Sequence, residues 1–156
     1  AATGAAGPQG RHQMLRSLLL ALALAAPATV AIADNGSRNA VIIDQSGQFN
    51  GAGVRQDGWR NRLSITQDGW GNSTVATQDG AGNRTVVGQA GIGNDAYASQ
   101  GGRCNVLGIA QLGRGNEADA RQSGRCNALG IIQTGNGGTA TVRQGGRGNV
   151  AVIVQD

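Results

Sequence analysis

The stretch NRTVVGQAGIG, residues 83–93, is followed by NDAYASQGGRC (94–104), NVLGIAQLGRG (105–115) and NEADARQSGRC (116–126). Asn opens each piece, Gln stands six places on and Gly eight, while nearly everything between them changes. The step continues in both directions. Glutamine recurs at Gln45, Gln56, Gln67, Gln78, Gln89, Gln100, Gln111, Gln122, Gln133, Gln144 and Gln155. Asparagine recurs at Asn39, Asn50, Asn61, Asn72, Asn83, Asn94, Asn105, Asn116, Asn127 and Asn149, with Gly138 in the one missing slot. Glycine recurs at Gly47, Gly58, Gly69, Gly80, Gly91, Gly102, Gly113, Gly124, Gly135 and Gly146. A fixed period carried from 39 to 155 means a repeat architecture.

A step of eleven fits either three turns of helix in a right-handed coiled coil or a short strand followed by a tight arc. Each unit holds at least one fixed Gly, which costs a helix about 1 kcal/mol, and apolar residues do not fall at helical spacing. Alternation decides for the strand. The second residue after each Asn slot is Val41, Ala52, Leu63, Thr74, Thr85, Ala96, Leu107, Ala118, Leu129, Ala140 and Ala151. The fourth is Ile43, Val54, Ile65, Ala76, Val87, Ala98, Ile109, Ala120, Ile131, Val142 and Ile153. Between them come Arg62, Asp95, Glu117, Asp119 and Arg121. Apolar in and polar out with period two is a half-buried strand.

At the fourth position, units opening at 39, 61, 83, 105, 127 and 149 carry only Ile or Val, whereas the intervening units carry Ala three times and Val twice. The true repeat is therefore the double unit, a step of 22. The expected fold is all-β: a β-solenoid of strand-arc-strand-arc rungs over 39–156, two facing sheets, with cross-β, amyloid-like stacking. Residues one repeat apart then lie one rung apart at the ~4.8 Å strand spacing. Inward Gln and Asn stack on copies of themselves, and each amide both donates and accepts. The expectation is a hydrogen-bonded amide ladder like those of cross-β fibres, with the fixed glycines supplying positive φ in the arcs.

The chain has 28 Gly, 3% aromatics and 14% charged residues, too little bulky apolar material for an ordinary core. All 13 basic residues are Arg against 9 acids. No basic block or base-stacking aromatic set accompanies them, so nucleic acid is not an expected partner. Residues 1–13 read as an upstream extension before Met14 and residues 14–33 as a signal peptide, with Arg16, a Leu-rich stretch too short to span a bilayer, and Ala31-Ile32-Ala33 before Asp34. Ala26-Pro27-Ala28 offers an alternative cut. Residues 34–38 form a short N-terminal segment, and no stable membrane insertion is expected.

The pattern in QSGQFNGAGVRQ (45–56) and QLGRGNEADARQ (111–122) resembles the curlin repeat of curli subunits. The resemblance covers 39–156. It implies a secreted structural subunit that self-assembles into extracellular functional amyloid fibres on the bacterial surface, serving biofilm matrix and adhesion. It further implies a nucleator subunit and an outer-membrane export pore as partners. Two departures stand out: only Asp34 to Arg38 occupy the place of the family's Gly/Asn-rich export segment, and the step is 22 rather than 23. A nucleator or minor subunit is the alternative role, and a monomeric solenoid adhesin the rival class.

Fibre growth also follows from the residues. Neither end of the repeat region carries a capping helix, a Pro or a charge cluster, and NVAVIVQD (149–156) closes the chain on a full apolar strand. Eleven strands split six and five between the sheets, leaving one strand missing at each joint. A cut after Ala28 would keep Val30 and Ile32, spaced as a degenerate twelfth strand. Cys104 and Cys126, both in GRCN, fall one rung apart, within disulfide range along an oxidising export route. A bridge and two packed thiols both stay open.

Asp57, Asp68 and Asp79 in QDG read as turn chemistry or an assembly brake rather than calcium ligands. Arg103, Arg125 and Arg147 stack as a solvated column or a contact for anionic polymer, and Trp59 and Trp70 lie in arcs on opposite edges. With His12 ahead of the leader, no Lys and no nucleophile–base set, neither enzyme activity, a cofactor nor a metal is expected.

Overall fold

A computed structural model describes residues 28–33 and 38–156. The expected leader over 14–33 lies outside the described residues up to 27, as do the expected extension at 1–13 and positions 34–37. Twelve strands follow in chain order: β1 (Ala28–Ala33), β2 (Ala40–Gln48), β3 (Gly51–Trp59), β4 (Arg62–Trp70), β5 (Ser73–Ala81), β6 (Arg84–Ile92), β7 (Asp95–Arg103), β8 (Val106–Arg114), β9 (Glu117–Arg125), β10 (Ala128–Asn136), β11 (Thr139–Arg147) and β12 (Val150–Gln155). They form two six-stranded sheets, ordered β1-β3-β5-β7-β9-β11 and β12-β10-β8-β6-β4-β2. All pairs are parallel, and from β2 onward each partner stands one double unit away in the chain, as Gln67 with Gln89 and Gln100 with Gln122. The chain is a β-solenoid, with one strand of each sheet per rung.

The core is the thin layer between the sheets. From the even strands come Leu63, Ile65, Val87, Leu107, Ile109, Leu129 and Ile131; from the odd strands Ala52, Val54, Ala76, Ala96, Ala98, Ala118, Ala120 and Ala140. A bulky sheet thus faces a small-residue sheet. Alternation also turns apolar residues outward where charge is absent: Val106, Leu112, Ile132, Val150, Val152 and Val154 are all exposed on the outer face of β8, β10 and β12.

The odd-strand sheet has six strands rather than five because residues 28–33 pair with β3. Their register differs from the spacing read in the sequence: Ala31, not Ile32, stands opposite Val54, and Ala33 opposite Gln56, a step of 23. A step of 22 would bring Asp34 to the glutamine position, setting a carboxylate against an amide oxygen, acceptor against acceptor.

Two kinds of glycine turn the arcs, and the difference explains which is fixed. Gly91 has φ +126°, and a Cβ there would stand 1.9 Å from the Gly113 carbonyl oxygen of the next rung. The same collision, at 1.8–2.1 Å, recurs from Gly47 through Gly124. Gly93, two residues on, has φ +64° but open space around it. Its equivalents in other arcs include Phe49, Arg60, Cys104 and Cys126, all left-handed with φ between 54° and 61°. One column must be Gly for both conformation and space; the other carries only the left-handed penalty of ~1–2 kcal/mol. Gly93→Ala is therefore expected to destabilise by about 1 kcal/mol, and Gly91→Ala by several kcal/mol, roughly the level of a severe backbone clash. Guanidinium unfolding of the two variants checks this; equal losses would contradict it.

Candidate functional site

The repeated amides lie on the inner face, where strand alternation carries every Gln and Asn slot inward. Along the even sheet, Nε2 of each glutamine donates to Oε1 of the next: Gln45 to Gln67 at 2.5 Å, Gln67 to Gln89 at 2.7 Å, Gln89 to Gln111 at 2.8 Å, Gln111 to Gln133 at 3.0 Å and Gln133 to Gln155 at 3.0 Å. Along the odd sheet, Gln56 donates to Gln78 at 2.6 Å, Gln78 to Gln100 at 3.0 Å, Gln100 to Gln122 at 2.9 Å and Gln122 to Gln144 at 2.9 Å. Gln56 through Gln133 are buried. Both columns therefore have the same polarity, each donor pointing toward the C-terminal end.

The second Nε2 hydrogen is used across the sandwich. Gln67 donates to the Gly51 carbonyl at 3.0 Å, Gln89 to Ser73 at 2.9 Å, Gln111 to Asp95 at 2.9 Å and Gln133 to Glu117 at 3.0 Å. Thr74 and Thr85, at core slots otherwise held by apolar residues, lace the sheets further. The Thr74 hydroxyl accepts from Gln67 at 3.2 Å and donates to Gln89 at 2.8 Å. Thr85 does the same between Gln78 and Gln100, at 3.0 and 2.8 Å. In the sequence both read as fillers; the signal of their role is a hydroxyl two places from the Asn slot, facing two successive glutamines of the opposite sheet.

Asparagine also stacks amide on amide, with the opposite polarity: Nδ2 of Asn72, Asn94, Asn105, Asn116 and Asn127 donates to Oδ1 of the asparagine one rung earlier at 3.0–3.2 Å. Its Oδ1 accepts the backbone N–H of the residue one rung later, from Asn39 under Asn61 at 2.9 Å to Asn127 under Asn149 at 3.0 Å. Even Gly138, which lacks the amide, donates its own N–H to Asn116 at 3.0 Å. The Asn Nδ2 braces its own arc: Asn61 donates to Asp57 at 2.8 Å, Asn105 to Gly101 at 3.0 Å and Asn127 to Ser123 at 2.9 Å. It also reaches the fixed glycine of the next rung, Asn50 to the Gly69 carbonyl and Asn61 to the Gly80 carbonyl, both at 3.1 Å. That carbonyl is the oxygen a Cβ on Gly47 or Gly58 would strike. Gly and Asn three residues apart thus form one socket. The glycine leaves room for the next rung's carbonyl, and the asparagine satisfies it.

Cys104 and Cys126 are joined in a disulfide across adjacent rungs, Cα to Cα 4.5 Å. Arg103, Arg125 and Arg147 align along that same edge. Trp59 sits under the Arg60 guanidinium, 4.5 Å from its ring centre, and on the opposite edge Trp70 meets Phe49 edge-on at 5.5 Å. Asp57 pairs with Arg55, and Asp68 accepts from the Ser46 hydroxyl at 2.6 Å. Outside the ladders, Asp119 holds Arg121 at 3.0 Å; these hydrogen bonds and its charge raise the guanidinium pKa. Among the described residues no group of three or more His, Cys, Asp and Glu is placed to hold a metal, and no helix is long and apolar enough to cross a membrane.

The two ends differ in chemistry. At the C-terminal end, Gln144 and Gln155 accept on Oε1 and pass no hydrogen bond on among the described residues. The sockets there are empty: a Cβ on Gly135 would meet nothing nearer than 3.6 Å, and one on Gly146 only the Asn149 amide at 3.3 Å. At the N-terminal end, Gln56 Oε1 is buried without a partner among the described residues.

This geometry defines a parallel, amide-laddered two-sheet solenoid built from one repeated arc. Residues 36–69 match the family model of the curlin associated repeat. Beyond the matched residues the same step runs on unbroken to Gln155. No match to a curated protein was found.

Replacing Gln111 by Leu removes an acceptor for Gln89 and donors to Gln133 and the Asp95 carbonyl, all inside the fold. Orphaned buried polar groups cost about 1–3 kcal/mol each, so a loss of roughly 2–4 kcal/mol is expected in equilibrium unfolding, against less than about 0.5 kcal/mol for the outward Ser99→Ala. For the bridge, the 22-residue spacing corresponds to a loop-closure contribution of about 3 kcal/mol. Cys104→Ser with Cys126→Ser should lower the guanidinium midpoint accordingly, and thiol titration of the purified protein should find none free.

Proposed function

We propose that the chain is a secreted structural subunit that polymerises end to end into extracellular amyloid fibres of the curli type, part of a bacterial surface matrix that serves adhesion. The observation that carries the reading is that both ends are open and of one polarity. The C-terminal end presents glutamine amides that pass no hydrogen bond on among the described residues, together with empty glycine sockets. Each terminal strand pairs on one side only: β11 with β9, β12 with β10, β2 with β4. Parallel strands and one-way ladders admit a head-to-tail contact alone. A heterologous contact of this kind does not close on itself but propagates as a filament, and unblocked strand edges are where such pairing occurs. The exposed valines on β12 add an uncharged flank to the growing end.

The match of residues 36–69 to the curlin associated repeat supports an export pore and a nucleating subunit as partners, and self as the main one. Neither a catalytic role nor a cofactor forms part of the reading. Purified secreted protein is expected to give a lag and then growth in thioflavin-T fluorescence. Its fibres should diffract with reflections at ~4.8 Å and at ~10 Å, the strand and sheet spacings of cross-β structure. Growth without a lag would move the chain to the nucleator role. A protein that stays monomeric and β-rich for days would contradict the fibre reading in favour of a solitary solenoid adhesin.

A further inference from the structure

The repeats from residue 39 onward place six strands in the even sheet and five in the odd one. Subunits built from these alone cannot stack without a fault. If β12 of one copy pairs with β2 of the next, the odd sheet lacks a strand between β11 and β3. If β11 pairs with β3 instead, β12 and β2 claim the same level. β1 removes the fault, because with it each sheet has six strands and the sequence β11, β12, then β1 and β2 of the next copy keeps strict alternation.

A second observation falls at the same place. Every other buried glutamine receives on Oε1 the amide of the glutamine 22 positions earlier. Gln56, 1% exposed, does not, and its Oε1 is the buried side-chain polar atom left without a partner among the described residues. The residue opposite it in β1 is Ala33, which has no amide to donate. β1 therefore continues the backbone pairing of the odd sheet but not its ladder.

We propose that residues 28–33 are the joint strand of the assembled subunit. They stay on the secreted chain from Thr29 onward, the leader being cut at Ala26-Pro27-Ala28 rather than after Ala33, and successive copies meet as β11–β1–β3 with one glutamine, and so two ladder hydrogen bonds, missing. The inference rests on the fibre reading and says where the fibre is weakest: sheet pairing is unbroken at the joint, but one of two glutamine columns is interrupted there. The interruption leaves an acceptor in place for a donor that position 33 does not carry.

Three measurements on fibres of the secreted full-length product test it. Intact-mass analysis should find chains beginning at Thr29. Hydrogen exchange should find the amides of residues 29–33 protected as the repeats are. Ala33→Gln, checked for the same N-terminus, should shift fibre dissociation to higher denaturant by giving Gln56 Oε1 its donor. Chains beginning at Asp34 in well-formed fibres, free exchange over residues 29–33, or an unchanged dissociation midpoint in Ala33→Gln would each overturn the joint strand while leaving the fibre reading intact. Absence of fibres altogether would overturn the function proposed above instead.

Discussion

A primary amide buried in an apolar layer must find both a donor and an acceptor, and a copy of itself one rung away supplies both. This constraint organises the molecule. The ~4.8 Å strand spacing suits amide-to-amide contact only when glutamine stands on glutamine, so a slip of one residue orphans a whole column at once. Hydrophobic burial alone would be a weak guide to register here, since an Ala-lined sheet facing an Ile- and Leu-lined one tolerates sliding. The columns remove that freedom. They also give the solenoid a direction, because every glutamine donor points the same way.

The arcs answer to the same stacking by a different route. Each fixed glycine carbonyl points into the space left by the glycine below it and is met there by an asparagine amide. Backbone and side chain are thus satisfied in one place, at the sharp turn where parallel sheets otherwise leave polar groups exposed to poor geometry. The socket repeats at every level but that of Gly135, where Gly138 stands in place of the asparagine, so interior and end rungs otherwise differ only in what lies above. On the proposed fibre reading, self-association is a continuation of folding, with the next chain taking the place of the next rung.

Much of this was legible in the sequence because a solenoid converts spacing along the chain directly into contact in space. The step of 22 specifies strand partners, sheet membership and the alternation of bulky and small sides, and the structure pairs Gln67 with Gln89 and Leu63 with Thr85 accordingly. What the spacing could not carry was the direction of side-chain atoms. Gln and Asn both stack as amides, yet the Gln donor points to the next rung, whereas the Asn donor points back to the rung before and also braces its own arc. Thr74 and Thr85 were hidden for a similar reason: a hydroxyl at an apolar slot shows its use only once the glutamine column of the facing sheet is placed. The register of β1 departs from the repeat because no glutamine stands where the period asks for one. Cys104 and Cys126 could be placed on one corner but not joined on spacing alone; the structure has them bonded.

The central claim is that the ladder is made within one chain by residues a rung apart, not between identical residues of different chains. Solid-state NMR on fibres in which side-chain-labelled protein is diluted into unlabelled protein separates the two. The account predicts that the contact between the Gln78 amide nitrogen and the Gln100 carbonyl, 3.0 Å in the structure, keeps its full intensity on dilution. A contact between Gln78 and Gln78 of neighbouring chains, fading as labelled chains are diluted, would show flat in-register stacking and contradict the solenoid.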